Sequence, residues 1–231
     1  MRGPAGQAVG RTGGPTLGRL ALVLVALTAR PPDRLSAQRV ALVPQFVVGD
    51  YREQSADLAY GGIGFGAGAV ARWRRLTGEV QYASVEYEPE DEGTGFQSFR
   101  ATQLDGVLRY TLSGTASVEV GGTRRSIDPE IAAQSLSALR LGARLSQLLA
   151  PGARVTVRGT YLAAAKFSGG GSAPFAFEVG LGFLGELAQG HVRLTADYEF
   201  QHLGRKTESV GEEFNVPIQQ WLLRAGAGVA F

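Results

Sequence analysis

A histidine with two nearby carboxylates is the first place to look for catalytic chemistry in this chain. His202 follows Asp197 and Glu199 within a few residues, and a carboxylate near an imidazole can act with it as an acid–base pair. His202, Glu199 and Asp197 are therefore the catalytic candidates. No paired nucleophile motif accompanies them, so the sequence favours structural roles for these groups and predicts that the chain is not an enzyme.

Metal and cofactor motifs are equally sparse. The chain contains no cysteine, which excludes thiolate ligands and disulfide bonds. The acidic residues Glu88, Glu90, Asp91 and Glu92 could attract a divalent cation, although charge runs are more commonly solvated loops. The glycine-rich residues 62–67 partly match a dinucleotide fingerprint, but the strand before it and the helix after it are missing. We therefore expect neither a metal site nor a cofactor.

The basic character of the chain comes from its N-terminal segment. The formal net charge is +2 and the sequence pI is about 9.1. Arg2, Arg11 and Arg19 precede an apolar run at 20–27 that is too short to cross a bilayer, which is typical of a signal peptide. We predict a signal peptide over 1–37 and an exported domain over 38–231. Without the leader the charge balance is slightly acidic, so the pI does not indicate nucleic-acid binding.

The exported domain alternates apolar and polar side chains over about ten segments, a pattern that predicts β-strands. One face of each segment is apolar, and the other carries charged residues or glycine. The segments lie at about 39–50, 58–73, 76–88, 98–112, 116–126, 135–148, 153–167, 174–187, 191–203 and a last one that ends at Phe231.

Three places in this pattern allow more than one interpretation. Residues 128–149 begin with helix-start signals at Asp128 and Pro129, yet their two-residue alternation favours a strand. If this segment were a helix, nine strands would remain with a misdirected connection, which also favours a strand. We predict about ten strands, with eight as the alternative count. Pro44 requires a bulge or a strand edge. The apolar residues change faces between Tyr82 and Val85. This change suggests either a bulge or a strand whose apolar face no longer lies against lipid.

The connections between segments alternate in length. Tight turns are predicted near Arg74, 113–114, 151–152 and 189–190, whereas longer polar loops are predicted elsewhere, such as 88–93 and 204–216. An even strand count with short turns at one rim and long loops at the other is typical of outer-membrane barrels.

The final segment alternates from Trp221 through Val229 to a terminal Phe231, and it resembles the assembly signal of bacterial outer-membrane β-barrels. In architecture the chain is similar to the small outer-membrane protein A/X-type family. The resemblance implies an all-β fold, a closed antiparallel up-and-down transmembrane β-barrel with both termini at the periplasmic rim. It also implies an outer-membrane location for a monomer. The implied partners are membrane lipid and lipopolysaccharide, periplasmic chaperones and the barrel-assembly machinery, with no nucleic acid.

Alternation alone does not say which face points inward. A soluble periplasmic lipid-binding barrel would place the apolar face inside. Aromatic residues such as Trp73, Tyr110 and Trp221 lie toward the strand ends of the apolar face, which is typical of the interfacial girdles of membrane barrels. We therefore expect the apolar face to point outward and the charged face to line the lumen.

Hairpin register brings some of the lumen charges together. Folding the fourth and fifth strands about 113–115 places Arg109 opposite Glu119, and folding the last two strands places Asp197 near Arg224. Both are predicted ion pairs, since opposite charges that face each other across strands attract. The other predicted lumen charges are Arg140, Arg144, Arg154, Arg158, Glu178, Glu186, Arg193 and Glu199.

These features favour a structural or surface-interaction role through extracellular loops, with side chains filling the lumen. A narrow pore for small solutes is the main alternative. A hydrolase at the loop rim and the soluble lipid carrier are the further alternatives.

Overall fold

The computed structural model describes residues 39–91, 96–129, 131–209 and 212–231. The predicted signal peptide lies outside these residues. Ten strands account for most of the described chain: β1 Arg39–Glu53, β2 Leu58–Trp73, β3 Leu76–Pro89, β4 Phe99–Thr111, β5 Ala116–Asp128, β6 Leu136–Ala150, β7 Ala153–Phe167, β8 Ser172–Leu187, β9 Val192–Ser209 and β10 Glu212–Ala230. Two single-turn 3-10 helices, Ala132–Gln134 and Ala188–Gly190, lie between strands.

Each strand pairs antiparallel with the next along the chain, and β1 pairs with β10 to close the sheet. The predicted closed ten-stranded up-and-down barrel is therefore confirmed. Closure satisfies the backbone N–H and C=O groups that an open sheet would leave at its edges.

The two ends of the barrel differ in their connections. At the turn end, where β1 begins and β10 ends, the connections are 74–75, 112–115, 151–152 and 188–191. Arg74 and Gly152 adopt positive φ there, of 55° and 78°, as tight hairpins require. The other end, which we call the loop end, carries the connections 54–57, 90–98, 129–135, 168–171 and 210–211.

The predicted loop over 204–216 is wrong, because β9 continues to Ser209 and β10 begins at Glu212. Polar composition suggested a loop, but a paired strand needs no apolar face where both of its faces are solvated. At this position the barrel extends as a paired hairpin.

The ambiguous segment after β5 is a strand. Residues 136–150 form β6, and the helix-start signals at Asp128 and Pro129 precede only the turn Ala132–Gln134. Pro44 causes no bulge, because the register between β1 and β10 is the same on both sides of it. The β1–β10 pairing omits Val43 and Pro44, and Pro44 lacks the N–H that such a pair needs.

The parity change in β3 is not a bulge either. Its pairing with β2 and β4 runs without a register shift. Val85 and Tyr87 point into the barrel and are buried, whereas the outward Glu86 is exposed. The pattern changes because the lumen itself becomes apolar toward the loop end.

The apolar face of the barrel points outward, as predicted. Large apolar side chains such as Ile63 and Phe65 have 63% and 65% of their surface exposed, while arginines and glutamates of the opposite face are buried inside. A barrel that carried a lipid in its lumen would show the reverse arrangement.

Candidate functional site

The lumen is the candidate site, since it holds most of the buried charge of the described chain. Three zones follow one another along its axis. A vestibule opens at the turn end, an ion network fills the middle, and an apolar zone fills the loop end.

Arg158 is the centre of the ion network. It projects from β7 and contacts Glu178, Asp197 and Glu199 at N–O distances of 3.2, 3.2 and 2.6 Å. Gly180 on the neighbouring strand makes room for this side chain, because a Cβ there would lie 2.5 Å from the Arg158 Nε. The predicted inward glycines thus give space to long charged side chains, here at one identified position.

Two further arginines extend the network across the barrel. Arg140 contacts Glu178 at 2.5 Å and Asp105 at 3.1 Å. Arg224 contacts Glu199 at 2.9 Å. Each carboxylate of the network therefore has at least one guanidinium partner, which compensates for its removal from water.

A second group of charges lies next to the first, toward the vestibule. Arg109 contacts Glu79 at 2.8 Å and Glu119 at 3.6 Å, while Arg144 contacts Glu119 at 2.7 Å and Glu79 at 3.6 Å. The four groups alternate in sign around a square. Arginine suits this position because its planar group offers several donors to more than one carboxylate.

The structure brings together one of the two predicted ion pairs. Arg109 and Glu119 are opposite in register and in contact. Asp197 and Arg224 are also opposite in register, but Asp197 accepts a hydrogen bond from Arg158 and Arg224 donates one to Glu199. Backbone register does not fix these partners, because a long arginine side chain reaches diagonally to another strand.

The other predicted lumen charges divide between two zones. Arg140, Arg144, Arg158, Glu178 and Glu199 join the network, and Arg154, Glu186 and Arg193 line the vestibule. Asp105 and Arg125 lie in the lumen as the charged face of their strands predicts, whereas Glu79 was not predicted as a lumen residue. Glu79 occupies an inward position of β3, so strand parity could have identified it.

Aromatic side chains fill much of the apolar zone. Phe99 stacks on Tyr87 with ring centroids 4.9 Å apart, and it meets Tyr60 and Tyr51 edge-on at 4.9 and 5.6 Å. All four rings are buried. Aliphatic side chains complete the packing from the other strands: Val47, Val85, Ile127, Leu136, Leu162, Leu203, Ile218 and Leu222.

Polar groups mark both borders of this zone. On the network side, the buried Arg125 donates to Gln201 and Gln220 and lies over the Tyr51 ring. On the outer side, Gln134 of the β5–β6 connection reaches into the barrel mouth, where it accepts from Tyr51 and donates to Glu53.

The connection that carries Gln134 is itself held in place. Ser168 donates through its hydroxyl to the Ala132 carbonyl at 2.7 Å and through its N–H to the Ser135 carbonyl at 3.0 Å. The Gly169 N–H donates to Ala133 at 3.0 Å. The described part of this connection is therefore hydrogen-bonded at the barrel mouth, over a packed interior.

The vestibule is a cavity of about 510 Å³ that opens between the turns at Arg74 and Gly152. Beyond it, a gap of about 10 Å³ remains between Glu79, Arg144 and Arg158 within the network. Such a gap has room for about one water molecule. The cavity therefore ends at the network.

The catalytic candidates do not meet. His202 lies on the outer face against Phe177, with ring centroids 5.5 Å apart, whereas Glu199 and Asp197 bind Arg158 inside the lumen. Within the described ranges, no group of three or more His, Asp or Glu side chains could hold a metal ion. No helix of the described chain is long and apolar enough to span a membrane.

The predicted assembly-signal residues share the outer face of β10. The Phe231 side chain is 74% exposed, while its backbone exchanges hydrogen bonds with Val40 of the first strand at 2.8 and 3.3 Å. Val229 pairs with Leu42, and Trp221 pairs with Asp50 on β1. The last residues of the chain thus form part of the seam that closes the barrel.

Comparison with solved structures gives the same fold. The outer membrane protease OmpT from Escherichia coli superposes with a TM-score of 0.54 at 7% identity, over 86% of this chain and 99% of that one. The chain has the fold of bacterial outer-membrane β-barrels. Neisserial surface protein A gives 0.39 at 14% identity over 83% and 97%. The COG4313 outer membrane channel from Pseudomonas putida F1 gives 0.46 at 11% over 88% and 100%.

The searches of sequence families gave no match. No protein-family model matches the chain, and no curated protein matches it. At these identities the structural likeness shows the fold alone.

Proposed function

We propose that this chain is an integral outer-membrane protein whose lumen does not conduct, and that its role is structural or surface-interacting through the loop end. The observation that carries the proposal is the closure of the lumen. An apolar zone packed like a protein core lies over a continuous ion network, and the cavity that opens at the turn end stops at that network.

The outer face supports a membrane location. Its exposed apolar side chains would be unfavourable in water, and strands of 13 to 19 residues exceed the roughly 9–11 residues that a membrane barrel requires. Toward the loop end, outward positions of β3 and β4 become charged, as at Glu86, Glu88 and Arg100. The surface available for contact therefore consists of strand extensions together with the connections between them, of which 90–98 and 129–135 are the longest.

Conductance across a planar bilayer tests the closed lumen. The protein, extracted from membranes and shown to be a folded barrel by its heat-dependent gel mobility, should give no discrete conductance steps. As a control, a general porin is added afterwards to the same bilayer. Its conductance steps show that the bilayer can report the insertion of a channel. Steps from the barrel alone would contradict the proposal and favour the narrow pore.

Lipopolysaccharide is the proposed partner at the outer face. A row of outward polar side chains crosses β5 to β10 at one register level, because each residue is paired to the next. The row consists of Arg124, Ser137, Lys166, Ser172, Lys206 and Asn215. Three cations in a row of hydrogen-bonding groups above an apolar face suit the phosphates of a lipid whose acyl chains lie below.

Titration of the purified protein with lipopolysaccharide tests this row. Lys166→Gln combined with Arg124→Gln should weaken the affinity by about tenfold, since charge-assisted hydrogen bonds are lost. Arg100→Gln is the matched control, because Arg100 is also outward and exposed but pairs with Glu86. Equal affinities for all three proteins would contradict the assignment.

We further propose that Phe231, Val229 and Trp221 are recognised by the assembly machinery during insertion. Their outward side chains on the terminal strand are accessible before the seam closes. Deleting Phe231 should lower the fraction of protein that reaches the heat-modifiable form in the outer membrane. An unchanged fraction would exclude a role for this residue in assembly.

A further inference from the structure

The vestibule at the turn end differs from the rest of the lumen in its charge balance. Its lining includes three carboxylates, Glu79, Glu186 and Asp197. It also includes twice as many guanidinium groups, those of Arg72, Arg74, Arg109, Arg144, Arg154 and Arg193. No other zone of the described lumen combines such an excess of positive charge with open volume.

Part of this charge has no partner in the described chain. Arg109 and Arg144 serve the carboxylates Glu79 and Glu119, but no ion pair forms at Arg72 or Arg154 within the described residues. The partners of Arg154 across the sheet are Leu148 and Leu184. The free charge therefore lies toward the mouth of the vestibule, outside the neutralised square.

Hydrogen-bond donors in the wall point to the same conclusion. Arg193 donates from one terminal nitrogen to Glu186 at 3.0 Å, yet its Nε is buried without a hydrogen-bond partner. The hydroxyl of Thr195, two residues further along the inward face of β9, is also buried and unpartnered. Buried donors normally have acceptors, so this wall is short of acceptor atoms.

We infer that the vestibule binds a small, multiply charged anion that carries phosphate or carboxylate groups. Guanidinium groups bind both kinds of group through paired N–H donors. The volume falls within the range typical of small-molecule sites. A cleft lined by one sign of charge with low-dielectric walls also concentrates the opposite ion. This site is separate from the loop end and from the lipid-facing row of the proposed function.

Calorimetric titration of the detergent-solubilised protein tests the site, with pyrophosphate and citrate as probes in a zwitterionic detergent. At least one of them should bind saturably to a single site, with an affinity that falls as salt is added. The preferred probe identifies the group that the site selects. The absence of saturable binding by both probes would overturn the inference.

Matched variants locate the binding. Arg154→Gln combined with Arg193→Gln should weaken the affinity by about tenfold or more, since two cationic donors are lost. Arg100→Gln removes one positive charge from the outer face at the opposite end and should leave binding unchanged. If the double variant bound as tightly as the unaltered protein, the anion would bind elsewhere and the inference would be wrong.

A gain of affinity keeps the test decisive even if the double variant does not fold. Glu186→Gln removes a carboxylate from the wall and releases the Arg193 nitrogen that it holds, so the anion should bind several-fold more tightly. A purely structural role for these residues predicts no such gain. The conductance result is independent of this one, because a closed barrel can bind an anion or fail to do so.

Discussion

The two ends of the lumen follow opposite rules, although the same ten strands build both. At the loop end, inward positions carry Tyr51, Tyr87 and Phe99, whose buried rings pack against one another. At the turn end, inward positions carry arginines and carboxylates around an open cavity. A barrel interior therefore need not be uniform along its axis. One part of a strand can help to close the lumen while another part of the same strand lines an open cavity.

The largest expected effect on stability comes from a substitution in the apolar zone at the loop end. Phe99→Ala should lower the free energy of unfolding by about 4 kcal/mol, because it removes a ring that contacts three others and leaves a cavity. Denaturant unfolding in micelles measures this change. Phe96→Ala, in an exposed connection, should change stability by less than about 0.5 kcal/mol. Similar losses for both variants would show that the apolar zone is not a packed core.

A somewhat smaller loss of stability is expected in the ion network, and it should exceed the loss in the vestibule. Arg158→Gln should cost about 3 kcal/mol, since it leaves Glu178 and Glu199 buried with fewer partners. Arg154→Gln is the matched control, on the same strand and the same face but without an ion pair among described residues. It should cost less than about 1 kcal/mol. Equal costs in denaturant unfolding would remove the distinction between the two zones.

The space reserved for Arg158 should be visible in a glycine substitution. Gly180→Ala should destabilise the barrel by about 2 kcal/mol, because the added methyl group would press on a guanidinium that carboxylates hold in place. Gly106→Ala, on the outer face with no atom within 4 Å of the added Cβ, should be nearly neutral. A neutral Gly180→Ala would mean that Arg158 moves freely.

The smallest expected effect compares two pairs of charged residues that are opposite in register. One pair is in contact and the other is not. A double-mutant cycle with Arg109→Gln and Glu119→Gln should give a coupling energy of about 1 kcal/mol. The cycle with Arg224→Gln and Asp197→Asn should give less, since these residues face each other in register but bind other partners. The reverse order would show that register, and not the ion pairs described above, determines the partners.

Alternation was sufficient to predict the strands, because they depend on the two-residue period. The barrel layout followed from the alternating lengths of the connections, and the outward apolar face followed from the aromatic residues toward the strand ends. Alternation failed where the structure also depended on the polarity of the lumen or on which strands pair. The parity change at Val85 and Tyr87 was the only sign in β3 that the lumen becomes apolar, and a bulge explained that sign equally well. The polar hairpin of β9 and β10 was mistaken for a loop, since composition does not reveal pairing.

The network partners lay beyond sequence reasoning for a geometric reason. Register places Cα atoms opposite each other, but Arg158 reaches three carboxylates on two other strands through its long side chain. The role of Gln134 was also hidden. A glutamine in a connection has no pattern that predicts insertion into the barrel mouth.

In the outer membrane that we propose for this protein, a packed loop end affects the permeability of the membrane. A lumen with no continuous water path adds protein to a membrane without adding a leak. The number of copies is then limited by the available membrane area and not by loss of the permeability barrier. A surface protein needed at high density would benefit from a barrel closed in this way.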